Sequence, residues 1–392
     1  MSWNDDISYA FTLHKFVALP IGVWPLQKYD IFSRMRSVVC GLSLSAMMIV
    51  LILEVTCGDN SMYTKLDAIM LLTCNLVSVL KLLFYHLYAD NLIHNFSSAV
   101  DDYLAIDTEK KRAIMRRHAF LGKIICYNVV FPAYVASTIF MIMPLITSNE
   151  SAQVNISIKN PAENLAFPMM WTLRDFHISQ NSYIWISIVQ YILLMLNSSC
   201  NCGNDSLFLA IMLHVCGQIE LLKIDFSKFG VTSKNLNKDF SMLISRHCYL
   251  MNNAELLIEV ISVVLLVQIL ISCLLICFIG FQLILGIKFH DMVMITKTST
   301  VLITLLLQLF FYSFVGDYLK CQTEEIAFSI YSCNWQNFSM KLKRNILFVI
   351  MRSQTPIQLL AGRYIIINIE TYMSILKSSL SYLSVLRVMV DG

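Results

Sequence analysis

Seven stretches of this chain are long and charge-poor enough to cross a bilayer, and this constrains the fold more than anything else in it. Six are Ser37–Leu53, Leu66–Leu87, Ile124–Asn149, Phe176–Asn204, Val260–Ile287 and Thr298–Gly316. At roughly 1.5 Å of rise per residue, each suits about 30 Å of hydrocarbon with modest allowance for flanks. The seventh, Arg363–Arg387, is the least apolar. It carries Glu370, Lys377 and a series of serines where lipid would favour Leu and Val. A charge at membrane depth is costly and faces protein or water, so this span reads as a helix lining an aqueous path.

Composition agrees. Hydrophobic residues make up 57% and charged residues only 14%, against about 25% charged in soluble domains. The net charge of +3 is too small to suggest nucleic acid. Most of the 12 cysteines lie inside apolar runs without zinc spacing, as expected of buried thiols. The histidines are scattered, with no HExxH, and Ser378-Ser379 has no base nearby in sequence. Neither a metal, a cofactor nor an enzymatic activity is expected. No cleavable signal peptide is visible in the first 34 residues, which contain Asp5, Asp6, Pro20 and Pro25. The first span is expected to act as its own targeting signal. With no internal repeat and few Gly and Pro, the chain reads as one domain.

Orientation follows from loop charge. Twenty Lys and Arg lie before span 1 and between spans 2–3, 4–5 and 6–7; six lie on the other side. The excess predicts a cytosolic N-terminus and an extracellular C-terminus, the reverse of a G-protein-coupled receptor. The sequon at Asn155 falls outside and is a glycosylation candidate. Those at Asn95 and Asn337 fall inside and are expected to be unused. Lys81, near the inner end of span 2, is expected to snorkel to the headgroups. On the cytosolic side, 208–229, 235–259 and 317–331 read as continuations of spans 4, 5 and 6. Phe338–Arg352 is an amphipathic helix ended by Pro356. Either its basic face lies on lipid headgroups or, the favoured reading, its apolar face packs on neighbouring helices.

Several of these residues carry a resemblance. Gly316-Asp-Tyr-Leu, Glu325-Ile-Ala-Phe-Ser-Ile-Tyr331, Trp335, Met351-Arg-Ser-Gln-Thr-Pro356 and Leu360-Ala-Gly-Arg363 resemble the insect odorant receptor pattern ahead of its last span. Glu370-Thr-Tyr-Met-Ser-Ile-Leu-Lys377-Ser-Ser-Leu-Ser-Tyr382 is similar to that family's final helix, and Gly22-Val-Trp-Pro25 to its Gly-x-Trp-Pro element. The C-terminal match covers about seventy residues; the middle of the chain carries no motif. The resemblance implies an all-α, seven-span membrane protein whose helices extend into a cytosolic anchor region. It also implies an odorant-binding subunit of a ligand-gated, non-selective cation channel, assembled with the odorant co-receptor as a heterotetramer in the plasma membrane of olfactory sensory neurons. The short span 4–5 connection sets the chain apart from the longer co-receptor. The whole chain, 1–392, would be one channel-subunit domain. Its parts would be an N-terminal segment (1–34), spans 1–6 with the ligand pocket (35–316), anchor helices (317–356) and the pore-lining span 7 (357–392).

In the final helix Thr371, Ile375, Ser378, Tyr382, Val385 and Met389 recur at intervals of three and four, making one face. The resemblance implies that Val385 and Met389 form a hydrophobic gate, which closes by excluding water; the alternative is packing against a neighbouring subunit. Glu370, Ser374, Lys377 and Ser381 lie about 100° round on an adjacent face, as pore lining or a buried polar network. The resemblance also places a pocket for a small lipophilic odorant in the outer halves of spans 2, 3, 4 and 6. There the sequence offers Leu72 and Thr73, then Ser137, Phe140 and Met141, then Tyr183, Ile184, Ile188 and Tyr191, and finally Met294 and Thr298. A wall this apolar and this rich in Met and aromatics suits a ligand held by shape and dispersion. For any single one of these residues ordinary helix packing is the competing explanation. A gustatory receptor of the same superfamily would end in a different Thr-Tyr…Gln-Phe signature, absent here. A transporter would show paired intramembrane acids or an inverted repeat, and neither is evident.

Overall fold

The computed structural model describes residues 5–27, 31–58, 62–152, 180–231 and 235–391. The elements are α1 (Asp5–Ala18), α2 (Ile31–Cys57), α3 (Met62–Leu87), α4 (Ala89–Leu104), α5 (Glu109–Ala152), α6 (Gln180–Ser198), α7 (Asn204–Ser227), α8 (Leu236–Phe289), α9 (Met292–Tyr331), α10 (Met340–Ser353) and α11 (Ile369–Asp391). A π turn, Ser199–Gly203, joins α6 to α7. A short hairpin, β1 (Leu360–Ala361) and β2 (Ile365–Ile366), precedes α11 and pairs antiparallel. Among the described residues six helices are long and apolar enough to cross a membrane: α2, α3, α5, α6 with α7, α8 and α9. With α11 as the least apolar, this is the seven-span, all-α fold expected.

The helices run well past the apolar windows. α7 runs to Ser227, α8 begins at Leu236 and α9 continues to Tyr331, so the extensions of spans 4, 5 and 6 form as expected; α5, beginning at Glu109, extends span 3 as well. α7 stands in the middle of this extended bundle, packed by α5, α8 and α9 and buried on nearly every face. A helix buried all round must find partners for its polar groups, and α7 finds them for most of its charged ones, though both polar side-chain atoms of Asn204 stay unpaired. Its His214 lies 3.1 Å from Asp102 of α4, and its Lys223 2.5 Å from Glu325 of α9. Gln218 accepts a 2.9 Å hydrogen bond from Arg246 of α8. α10 places Leu342, Ile346 and Val349 inward and packs on α9, in keeping with the packing reading.

α1 and α4 carry no apolar run long enough to stand out in the sequence, yet both are anchored. α4 buries Leu92, Phe96, Val100 and Tyr103, one helical stripe. Trp24 is almost fully buried and meets Phe96 at 5.8 Å and Phe11 at 6.4 Å between ring centroids. Gly22 turns the chain with φ 76°; a Cβ there would lie 2.8 Å from the Ser33 carbonyl. The Gly-x-Trp-Pro element therefore folds the N-terminal segment onto α2 and α4. Asn95 is buried, its amide donating to Asn91 O at 2.8 Å, which leaves no room for a glycan.

The lead-in to α11 is fixed just as closely. Gly362 (φ 59°) and Arg363 (φ 64°) turn the hairpin, and Gly362 N–H donates to Ser262 O of α8 at 2.9 Å. The chain then crosses α9 at Gly316, where a Cβ would sit 2.2 Å from Ile367 O. Asp317 accepts from the Ile369 N–H at 2.9 Å, and the Asn368 side chain from the Thr371 N–H at 2.7 Å. Carboxylate and amide oxygens thus satisfy the free N–H groups of the helix start.

Candidate ligand cavity and last helix

The helices α3, α5, α6, α8 and α9 line a cavity of about 110 Å³. Its walls are mainly apolar: Leu71 and Val77 of α3, Ala133 and Phe140 of α5, Leu194 of α6, Leu275 of α8 and Leu305 of α9. Hydroxyls and amides interrupt them at helical spacing, with Asn197 and Asn201 along α6 and the π turn, Gln268 and Ser272 on α8, and Thr304 and Gln308 on α9. Ser137 is partly committed already, lying 2.7 Å from the Ser198 hydroxyl and donating to Ala133 O at 2.9 Å.

The polar end of the cavity rests on a buried ion pair. Lys81 and Asp205, each 1% exposed, meet at 2.7 Å. Lys81 also donates to Asn201 Oδ1 at 2.6 Å, and Tyr312 OH to Asp205 Oδ1 at 2.6 Å. Gln308 donates to Asn201 Oδ1 at 3.1 Å and to Asp205, and Tyr85 OH donates to Asn204 O. Lys81 is therefore not a snorkelling residue. It points into the bundle, because Asp205 and Asn201 satisfy its charge there. The π turn brings this about. Its wider winding is often found at functional sites, and here Asn201 from the turn and Asp205 from the first turn of α7 converge on one lysine.

Of the residues proposed from sequence, Ser137 and Phe140 line the cavity. Leu72 and Thr73 alternate with lining residues on α3 and are half-buried, the Thr73 hydroxyl donating to Ile69 O. Met141 packs half-buried beside Phe140. Tyr183, Ile184, Ile188 and Tyr191 lie on α6 before the lining turns; Ile184 and Ile188 are exposed, and Tyr191 OH is 3.3 Å from Thr138. Thr298 is buried and donates to Met294 O at 2.7 Å, one turn before the lining residues Val301 and Thr304. The cavity thus lies deeper along α6 and α9 than expected, and α8 adds a wall the sequence reading did not assign. The available signal was polar residues three or four apart within apolar spans, as in Gln268/Ser272 and Thr304/Gln308. Asn155 lies outside the described residues.

The last helix packs on α8 and α9 through one stripe. Tyr372 meets the Phe310 ring at 5.8 Å, Ser379 is buried beside Cys277, and Leu383 covers Gly280. The proposed face lies about 100° from this stripe. Thr371 and Ile375 are half-buried, whereas Ser378, Tyr382 and Val385 are exposed, the last two at 66% and 59%. The side chain of Met389 lies outside the described residues. Glu370 and Lys377 are exposed, with no ion pair to each other among the described residues. Thr371 and Ile375 share a small crevice with Gln268 and Tyr312. Gln268 also lines the 110 Å³ cavity and Tyr312 belongs to its ion-pair network, so the cavity and the last helix adjoin through two side chains.

A family model described as 7tm Odorant receptor matches residues 61–380, and the chain belongs to that family. Odorant receptor 2a of Drosophila melanogaster is 24% identical over 242 residues, 58% of this chain and 61% of that one. Odorant receptor 13a of the same species is 26% identical over 202 residues, 47% of this chain and 48% of that one. These alignments span only about half to three-fifths of the relatives' own length. The structure of the insect olfactory receptor OR5 from Machilis hrabei in complex with eugenol superposes with a TM-score of 0.79 and 13% identity, covering 98% of this chain and 100% of that one. At that identity the likeness is one of fold.

Proposed function

We propose that this chain is the odorant-binding subunit of a heteromeric, ligand-gated, non-selective cation channel that works with the odorant co-receptor. Its place would be the plasma membrane of olfactory sensory neurons, with the N-terminus cytosolic. The observation that carries the reading is a largely apolar cavity between five helices, next to a last helix with one face left uncovered. The exposure of Tyr382 and Val385 suits neighbouring subunits around a pore. The complex of Machilis hrabei OR5 with eugenol supports a small organic ligand.

In this reading residues 1–34 brace the bundle, 35–316 hold the ligand, 317–356 anchor subunits together and 357–392 line the pore. Thr371, Ile375, Ser378 and Tyr382 form the pore face, and Val385 with Met389 the gate. A ring of such side chains excludes water until it widens. Ligand entering the cavity shifts α8 and α9, and α11 moves with them through its packing stripe. The test is whole-cell recording of the chain expressed with and without an insect odorant co-receptor during odour panels. Odour-evoked cation current on co-expression is expected. A response abolished by G-protein inhibition would contradict the proposal.

A further inference from the structure

Gln268 is 3% exposed, and both its amide nitrogen and its amide oxygen lack a hydrogen-bond partner. The Asn197 amide oxygen, on the facing wall element α6, is likewise buried and unpaired. Both residues line the ligand cavity. The other amides at its polar end, Asn201 and Gln308, are held by Lys81 and Asp205. A buried amide left without partners is costly, and native structures seldom keep one without a reason. Because both Gln268 atoms are unpaired, one donor and one acceptor are free whichever way the amide is turned.

We infer that Gln268 is a specificity-determining residue that reads a hydroxyl group on the ligand, so that the cavity prefers small lipophilic alcohols to carbonyl compounds or hydrocarbons of the same skeleton. The inference rests on the proposed odorant-binding role and adds the ligand's chemistry. Two of the three unpaired atoms are acceptors, so the cavity calls for a donor, which an ester, ketone, aldehyde or ether lacks. A hydroxyl donates one hydrogen bond and accepts another, and so serves an acceptor and the Gln268 N–H together. Rotation about the terminal bonds of Gln268, which are soft, presents the amide to the cavity. The apolar walls take the hydrocarbon part. A site built to bond a hydroxyl rejects analogues without it more sharply than an apolar pocket rejects a missing methylene.

The test records currents in cells co-expressing the chain with the co-receptor. The probes are straight-chain and benzylic alcohols with the matching aldehydes and hydrocarbons. We expect alcohols to act at about tenfold lower half-maximal concentration than their partners, as one added hydrogen bond implies. Gln268→Met should bring that ratio near one while the channel still responds. The ratio is internal to each variant and so independent of surface expression. If Gln268→Met gives no current, Gln268→Asn, whose amide is drawn back by one methylene, should lower the ratio part-way. Carbonyl compounds or hydrocarbons matching alcohols in the wild type, or a ratio unchanged by these variants, would overturn the inference and leave the receptor reading intact. Silence to these probes and to a broad odour panel, with the complex verified at the surface, would overturn both.

Discussion

Single residues carry more here than their sequence context suggests. Lys81 looks like a charge at a span's edge, and the sequence reading sent it to the headgroups. Its partner Asp205 is 124 positions away, and nothing along the chain links the two. Removing one member of a buried ion pair strands the other, at about 3–5 kcal/mol. Lys81→Met should therefore lower the thermal midpoint of the detergent-purified complex sharply. Lys81→Met with Asp205→Leu should recover much of the loss, and the two midpoints measured side by side decide it. His14 makes a second residue-scale case. Its ring nitrogens are unpaired, and burial, helped by the Lys123 charge, lowers its pKa from 6.5 to about 4. Between those values the unfolded chain binds a proton that the folded chain refuses, so stability falls as pH falls through this window. The full loss is about 3 kcal/mol. Melting in neutral and mildly acidic buffer should show it, and His14→Leu should flatten that part of the profile.

At the scale of elements, the apolar windows located the six helices long and apolar enough to cross a membrane, because hydrocarbon permits few charges whatever the tertiary contacts. They did not reveal every helical stretch beyond the apolar windows, as α4 and the early turns of α5 show. There the signal is a stripe of apolar residues such as Leu92, Phe96 and Tyr103, diluted by charges. The lining of the cavity was harder to read still. The sequence shows that Asn197 and Gln308 lie in apolar spans, but not which way each helix is rotated or how deep the cavity sits. The lead-in to α11 was legible as a motif, and the structure supplies its reason: the chain passes over Gly316 too closely for any side chain. Gly316→Ala should displace Ile367 and misplace α11, abolishing odour-evoked current even where the protein reaches the surface. Surface labelling with recording separates the two effects. On α11 itself, Val385→Ser should wet the proposed constriction and raise the holding current without odour. An unchanged holding current would count against a gate at this position.

For the whole molecule, charge asymmetry and span count together predicted an inverted seven-span bundle before any motif was considered. The family match over residues 61–380 places the chain among odorant receptors. The C-terminal stretch read that way because its residues do jobs that tolerate few alternatives: Gly316 under a crossing chain, Asp317 capping α11, Gly362 in a left-handed turn. The cavity walls need only be apolar and fit one another, so they leave no motif. In the proposed mechanism odour opens a pore built partly from α11, within the same protein complex that binds the odour. Recording from membrane patches excised from cells that co-express the chain with the co-receptor, bathed without nucleotides, tests it most directly. The account predicts that odour still opens cation channels in such patches. Patches that fall silent until GTP or a soluble messenger is restored would contradict it.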